Sequence, residues 1–208
     1  MKRLIPTKYH SKLFYAPRFK KFINTLIPDK FSNIDKDEPR LIIPLLDEDK
    51  NLLGVQGRSF KKNDDLKYIT ILLNENNPKI FGLDEVDFKK RVYVFEGPID
   101  AMFIPNSLAS CGGKISSTLW PIQNKLKDAV IVYDNEPRSI DTIKKIESTI
   151  LDGYSVCIWP EDLIYKDIND MIISGMSPNT IISIMEKNTY SGLSAKLKII
   201  QWRKYENI

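Results

Sequence analysis

The sequence predicts an α/β protein. Its main body is a Rossmann-like parallel sheet with helices on both faces, preceded by a smaller, basic, β-rich part and followed by C-terminal helices. Three observations carry this reading. From Arg91 onward, short apolar runs of buried-strand type alternate with amphipathic stretches, the pattern of a parallel sheet. Before Arg91 the β-rich runs follow one another across turns, so an antiparallel arrangement is expected there. The charge changes sign at the same place: residues 1–90 hold 18 basic and 13 acidic side chains (net +5), residues 91–187 hold 9 and 13 (net −4), and residues 188–208 hold 4 and 1 (net +3). The chain is therefore divided into 1–90, a basic N-terminal part, 91–176, an α/β part, and 177–208, C-terminal helices.

The elements follow in order. Arg40–Leu46 reads as a strand, 47–51 (D-E-D-K-N) as a turn, and Leu52–Phe60 as the returning strand of a hairpin. Lys67–Leu73 is a third β-rich run, broken by Asn74–Pro78. Val92–Phe95 is a buried strand ending at Glu96-Gly97-Pro98, and Pro98 can open a helix. Ser107–Cys111 is a strand closed by Gly112-Gly113, and Ala129–Tyr133 is another, ending in Asp134-Asn135-Glu136-Pro137. Over Ser139–Leu151, Ile140, Ile143, Ile146 and Ile150 share one helical face, and Gly153 stops the helix. Tyr154–Trp159 is the fourth strand of this part. Helices are expected over 167–173, 178–187 and 192–205.

Composition narrows the class. With 208 residues, 42% of them hydrophobic, and a net charge of +4, the chain is neither disordered nor collagenous nor a disulfide-rich toxin. No apolar run approaches the roughly 18 residues of a membrane span, and Met-Lys-Arg-Leu-Ile-Pro lacks the apolar stretch of a secretion signal, so a cytosolic protein away from membranes is expected. Two cysteines and one histidine cannot complete a four-ligand zinc site, so no zinc is expected in this chain. Cys111 and Cys157 are expected as buried thiols. Gly112-Gly113-Lys114-Ile115 is not a P-loop. The first 28 residues carry seven basic groups (Lys2, Arg3, Lys8, Lys12, Arg18, Lys20, Lys21) and no acid, with Tyr9, Phe14, Tyr15, Phe19 and Phe22 interleaved. Two readings fit: a surface that tracks phosphates and stacks bases, or a solvated lysine face over core aromatics.

Ligands of parallel sheets bind at the carboxyl ends of the strands. Glu96 follows the first strand, Asp134 and Glu136 the third, and Lys166-Asp167-Ile168-Asn169-Asp170 the loop after the fourth. Clustered carboxylates repel one another unless a cation offsets them, and hard oxygen donors suit Mg²⁺ or Mn²⁺. Two such ions would clamp the attacking and leaving oxygens of a phosphoryl displacement. Each acid also has a plainer reading: Glu96 as an acid favoured by a helix dipole, Asp134 and Glu136 as turn and cap residues, and Asp167 as an N-cap paired with Asp170. Arg138 is either a partner of these acids or a surface cation. Lys114 either reaches a phosphate or is solvated.

Several strings together resemble a known family. Val94-Phe95-Glu96-Gly97-Pro98-Ile99-Asp100-Ala101 resembles the glutamate motif of the Toprim domain, and 130–136 (V-I-V-Y-D-N-E) its D-x-D motif. Ala109-Ser110-Cys111-Gly112 is similar to the intervening strand end, and 166–172 (K-D-I-N-D-M-I) to the later K-D-x-[ND] segment. Upstream, Leu41–Pro44, Gly54-Val55-Gln56-Gly57-Arg58, Lys67–Thr70 and Phe81-Gly82-Leu83 follow in order the basic subdomain of bacterial and phage DNA primases. The D-N-E-P-R string and the W-P before K-D-I-N-D look most like primase subunits of T4-type bacteriophages. The resemblance runs over residues 14–205.

The resemblance implies a Toprim-type primase core that makes short RNA primers on single-stranded DNA from ribonucleoside triphosphates, using two or more Mg²⁺ (or Mn²⁺) ions. It implies metal ligation by Glu96 (or general-base action on the primer 3′-hydroxyl), Asp134, Glu136 and Asp167, with Glu96, Asp134 and Glu136 as the catalytic set. Glu136 stands where the wider pattern has Asp, and its longer arm shifts the geometry. Asn169 and Asp170 would support these acids, with Arg138 behind them. Arg58 matches an arginine that holds template or nucleotide; Lys67 and Lys79 lie near further basic positions, and Lys114 and Lys166 are expected on phosphates. A hexameric replicative helicase is the implied partner, through the C-terminal helices; the zinc ribbon usual in such primases is either lacking or encoded or supplied separately. The setting would be the cytoplasm of a phage-infected host cell. A Toprim nuclease using the same acids on water, or a non-catalytic replisome scaffold, are the rival readings.

Overall fold

The structure, a computed structural model, describes residues 3–61, 64 and 66–204. Lys2 and the expected end of the last helix at residue 205 lie outside the described residues.

The N-terminal part is built on an antiparallel sheet. A 3₁₀ turn (Thr7–Tyr9) leads to β1 (Phe14–Ala16) and α1 (Phe19–Leu26), then β2 (Arg40–Leu46), β3 (Leu52–Ser59) and β4 (Tyr68–Leu72), ordered β1-β2-β3-β4. The expected hairpin is present. Asp47 Oδ1 accepts from Asn51 N at 2.7 Å and Asp49 N at 3.0 Å, which closes the turn that the D-E-D-K-N string predicts. Strand alternation gives this sheet two different faces. Val55, Ile71 and Ile42 turn towards α1 and pack with Phe19 and Ile23 in a small core. Gln56, Arg58, Tyr68 and Thr70 point the other way, paired across the strands as Gln56 with Thr70 and Arg58 with Tyr68. Gly57 lies on the α1 face, where an added Cβ would sit 2.3 Å from Phe19 Cε2. The absent side chain makes room for that ring.

The second sheet comprises β5 (Ile80–Phe81), β6 (Val92–Phe95), β7 (Ser107–Ser110), β8 (Ala129–Val132), β9 (Ser155–Cys157) and β10 (Thr189–Tyr190), in the order β10-β9-β8-β6-β7-β5. The four central strands are parallel, as expected; β5 and β10 pair antiparallel at the edges. Two residues each, they are too short to show any periodicity. β5 lies upstream of residue 90, so the second sheet begins before the charge changes sign.

The connecting helices are α2 (Pro98–Ala101), α3 (Ile115–Leu119) with a 3₁₀ turn behind it (Trp120–Lys125), α4 (Ile140–Leu151), α5 (Ile168–Ile173), α6 (Pro178–Lys187) and α7 (Gly192–Trp202). Every residue of β6 and β8 is buried, so both faces of the sheet are covered. Right-handed crossovers place α2 on one face and α3 and α4 on the other. α5 touches α2 and α6, while α7 packs on α4. α2 is a single turn, because Pro105 and the start of β7 follow too closely for more.

The chain goes from β6 to β7 on one side and returns with β8 on the other side of β6. That reversal between β6 and β8 is the switch point at which open α/β sheets bind ligands, outside the carboxyl ends of the strands. The larger core joins Ile43 and Leu45 of the first sheet to Val94 and Val130 of the second and to Trp159 just past β9, so the two sheets pack on one another. Cys111 and Cys157 are buried free thiols, as expected. Among the described residues no helix is long and apolar enough to cross a membrane.

Candidate active-site cleft

β6 ends at Phe95, so Glu96 is its first residue past the sheet. Gly97 and Pro98 then turn the chain into α2. One helical turn past Glu96 this brings back Asp100, whose Oδ1 accepts from Asn169 N at 3.1 Å. β8 is followed by Tyr133, held from both ends: its carbonyl accepts from Trp159 Nε1 at 2.8 Å and its hydroxyl lies 2.7 Å from Thr149 Oγ1. Asp134 comes next. Asn135 then ties down the loop before α5: its backbone N donates to Lys166 O at 2.6 Å, and its side chain donates to Leu163 O at 2.8 Å and Tyr165 O at 3.1 Å. This stitching sets Lys166 and Asp167 beside Asp134. Asp167 Oδ1 caps α5 by accepting from Asp170 N at 2.7 Å. Asp167 is therefore the expected cap, and it also lines the same cleft as the other acids.

Glu96, Asp100, Asp134 and Asp167 line one cleft of about 400 Å³. The facing wall is the outward face of β3 and β4, with Gln56, Arg58, Tyr68 and Thr70, and Lys67 beside them. Arg58 lies over the ring of Tyr68, 5.3 Å from its centroid. Arg3 and Lys166 also reach the cleft.

The carboxyls act on one another. Burial, reinforced by the charges of Asp100, Glu96 and Asp167, pushes Asp134 up to about 7. Burial and then Asp167 push Asp100 up to about 6. The nearby cations are partly engaged. Lys166 Nζ stands 2.6 Å from Glu136 Oε1 and 3.9 Å from Asp134 Oδ2, and Lys145 Nζ is 3.0 Å from Glu96 Oε1 and 2.7 Å from Asp141 Oδ2. Asp134 and Asp100, held above their ordinary range by burial and then by their acidic neighbours, are the kind of donors a hard divalent cation relieves. Among the described residues, no three His, Cys, Asp or Glu side chains close on one point.

The expected site residues divide accordingly. Glu96, Asp134, Asp167, Arg58, Lys67 and Lys166 meet at the cleft. Glu136 does not: it accepts from Thr142 Oγ1 at 3.1 Å, pairs with Lys166, and lines a separate cavity with the exposed Arg138. Burial alone would raise the Glu136 carboxyl, but Lys166 outweighs it and holds it below the usual range. Lys79 also stays away; its carbonyl accepts from Cys111 N at 2.8 Å while its side chain is exposed. Lys114 is turned to Asp152, 2.7 Å away. Asn169 is buried behind the acids, Asp170 sits in the first turn of α5, and Asn169 Oδ1 accepts from Arg3 Nη1 at 2.7 Å. The N-terminal aromatics split between the two readings: Tyr9 and Phe19 are core, while Phe14 and Tyr15 are exposed. Lys8 and Lys12 pair with Glu85.

Five polar cleft residues escape a reading by strand ends alone: Arg3, Gln56, Tyr68, Thr70 and Asp100. Asp100 had a signal in its spacing, four residues after Glu96 across a Pro-initiated turn. Gln56 and Tyr68 had one in the period of two that links Gln56 to Arg58 and pairs Arg58 with Tyr68.

No protein-family model matches the chain. Over 204 residues, 97% of its length, it is 35% identical to the DNA primase of Enterobacteria phage T4, and it spans 58% of the length of that relative. Among solved structures it resembles the Aquifex aeolicus primase, captured with its zinc-binding and RNA polymerase domains, with a TM-score of 0.67 at 20% identity over 90% of this chain and 54% of that one. It also resembles a DnaG primase catalytic domain bound to single-stranded DNA, with a TM-score of 0.65 at 16% identity over 94% of this chain and 73% of that one. The fold is that of primase RNA polymerase domains.

Proposed function

We propose that the chain is the catalytic core of a Toprim-type DNA primase, a nucleotidyltransferase that makes short RNA primers on single-stranded DNA from ribonucleoside triphosphates. The observation that carries this reading is the cleft itself: acids from three separated segments face a basic wall from the first sheet, at the switch point of the fold. The sequence match to the T4 phage primase supports it along almost the whole chain.

Arg58 and Lys67 are the groups that hold phosphates of template or nucleotide, and Arg58 is kept in place by its seat on Tyr68. Asp134 and Asp100 hold protons more tightly than ordinary carboxyls and would release them when a divalent ion binds. Two Mg²⁺ or Mn²⁺ ions held by Glu96, Asp134 and Asp167 would supply charge to the triphosphate and lower the pKa of the primer 3′-hydroxyl. Lys145 occupies one oxygen of Glu96, leaving the other for an ion or for the hydroxyl proton. Lys166 bridges Asp134 and Glu136, so Glu136 acts by positioning that lysine at the cleft. The chain carries no zinc site of its own in this reading, and a zinc-ribbon module would choose the start site. A hexameric helicase would dock through the C-terminal helices. In support, α7 exposes Leu193, Leu197 and Ile200, a stripe at helical spacing. The protein would work in the cytoplasm of the infected host.

The test is product identity. Incubated with single-stranded template, ribonucleoside triphosphates and Mg²⁺, the protein should yield short RNA. Nicked template would assign the cleft to hydrolysis. DNA binding with neither product would leave a scaffold.

A further inference from the structure

Tyr15 and Phe60 are large, exposed and in contact with each other. Their ring centroids lie 5.7 Å apart with the planes tilted by 53°, and the two residues are 63% and 59% exposed. One aromatic residue left in water needs no explanation, but two that touch hold a shared apolar surface there.

The register of the first sheet says which way this pair faces. Tyr15 pairs with Leu41, Leu41 with Arg58, and Arg58 with Tyr68, so the four form one row across β1, β2, β3 and β4. Residues paired across antiparallel strands point to the same face. Arg58 and Tyr68 line the cleft, and Leu41 packs on the larger core from the same side of the sheet. Tyr15 therefore stands on the cleft face, two strand spacings, or about 10 Å, from Arg58. Phe60 comes two residues after Arg58, and its ring meets that of Tyr15, so it extends this face past the end of β3. The wall thus changes in character along its length. It is polar at Gln56 and Thr70, cationic at Arg58 and Lys67, and aromatic and open at Phe60 and Tyr15.

We propose that Tyr15 and Phe60 form a stacking platform for unpaired bases of the single-stranded template where the strand leaves the cleft. The inference deepens the primase reading and rests on it. Three features select a nucleic acid strand over an apolar protein segment. The platform continues the wall on which Arg58 and Lys67 meet phosphates. It belongs to the part of the chain with a net charge of +5, which attracts a polyanion. The exposed groups are aromatic rings, and every base has a π-face to lay on one, whatever its identity. Bases inside a duplex are already stacked on their neighbours, so the platform favours single strands. The cation beside it is engaged elsewhere: Lys61, next to Phe60, pairs with Glu38. The pair therefore acts by stacking and not by charge.

The experiment is fluorescence anisotropy over a salt series with two labelled oligonucleotides of equal length, one carrying bases and one made of abasic sugars throughout. For the oligonucleotide with bases, Tyr15→Ala and Phe60→Ala should each weaken binding roughly five- to a hundredfold at every salt concentration. The slope of log affinity against log salt should stay that of the unaltered protein, because stacking releases no counterions. Tyr15→Leu and Phe60→Leu, which keep apolar bulk without a π-face, should behave likewise, and Phe60→Trp should retain the affinity. The abasic oligonucleotide should bind the unaltered protein and all these variants alike. A variant that loses its fold would lose both oligonucleotides together, and the Leu variants guard against that case. Unchanged affinity in both Ala variants, equal losses on the two oligonucleotides in the Leu variants, or a shallower salt slope in them would each overturn the assignment. If the unaltered protein makes RNA and the variants bind template as well as it does, the platform fails and the primase reading stands. If it makes no RNA yet the losses depend on bases, the primase reading fails and the platform stands.

Discussion

Arg3 and Asn169, 166 residues apart, clasp each other: the Arg3 guanidinium donates to Asn169 Oδ1 at 2.7 Å, and the Asn169 amide donates back to the Arg3 carbonyl at 2.8 Å. The Asn169 backbone N–H meanwhile donates to Asp100. A buried asparagine thus joins the start of the chain to two acid-bearing segments. Leu4, next to the clasp, has φ +53°, a left-handed conformation that bulky residues adopt only when their surroundings impose it.

Asn169→Ala should therefore cost about 1–3 kcal/mol, since it leaves Arg3 without its buried partner. Urea denaturation would measure this, and Asn169→Asp should recover part of it by keeping an acceptor for the guanidinium.

The raised carboxyls of the cleft set the pH dependence of stability. Asp134, ordinarily near 3.8, is pushed up to about 7, so the folded protein holds this proton more tightly than the unfolded chain does. Its contribution is full below about 4 and is lost as pH rises towards 7. Asp100 adds a similar loss up to about 6. Thermal denaturation between pH 5 and 8 should show a falling Tm in the unaltered protein. Asp134→Asn should flatten that fall and melt higher at pH 8, and added Mg²⁺ should raise the Tm of the unaltered protein there.

Gly57→Ala should destabilise by about 1–3 kcal/mol through overpacking. The new methyl would meet Phe19 Cε2 at 2.3 Å. Combining it with Phe19→Leu should cost less than the two changes separately, which a double-mutant cycle reads directly.

The parallel sheet was legible because its strands are continuous apolar runs punctuated by Gly, Pro and acids. The acids were legible through their place at strand ends, and Glu96, Asp134 and Asp167 line one cleft, although no three acids among the described residues close on one point there. Glu136 was misplaced because position in a turn does not say which way a side chain points; Lys166 and Thr142 draw it off the cleft. Lys114 likewise lies off the cleft, its ammonium turned to Asp152. β1, β5 and β10 have three residues or fewer, below any window of hydrophobic period. Arg3 belongs to the site only through tertiary contact, and nothing local to it announces that.

The basic wall makes a prediction about salt. If Arg58 and Lys67 contact phosphates, the affinity for single-stranded DNA should fall linearly on a log–log plot against salt, and replacing either by Ala should lower the slope by about 0.7. Lys114→Ala and Lys8→Ala should leave the slope unchanged, because those ammonium groups are turned to Asp152 and Glu85. Fluorescence anisotropy with a labelled oligonucleotide over a salt series measures it.

The most direct measurement is Mg²⁺-dependent RNA synthesis on a single-stranded template by the unaltered protein, Glu96→Gln and Asp134→Asn, each first shown to be folded and to bind the template. Short RNA from the unaltered protein, and at least about a hundredfold less from either variant, is the expected result. Undiminished synthesis by both variants would mean that these carboxyls do not perform the chemistry assigned to the cleft.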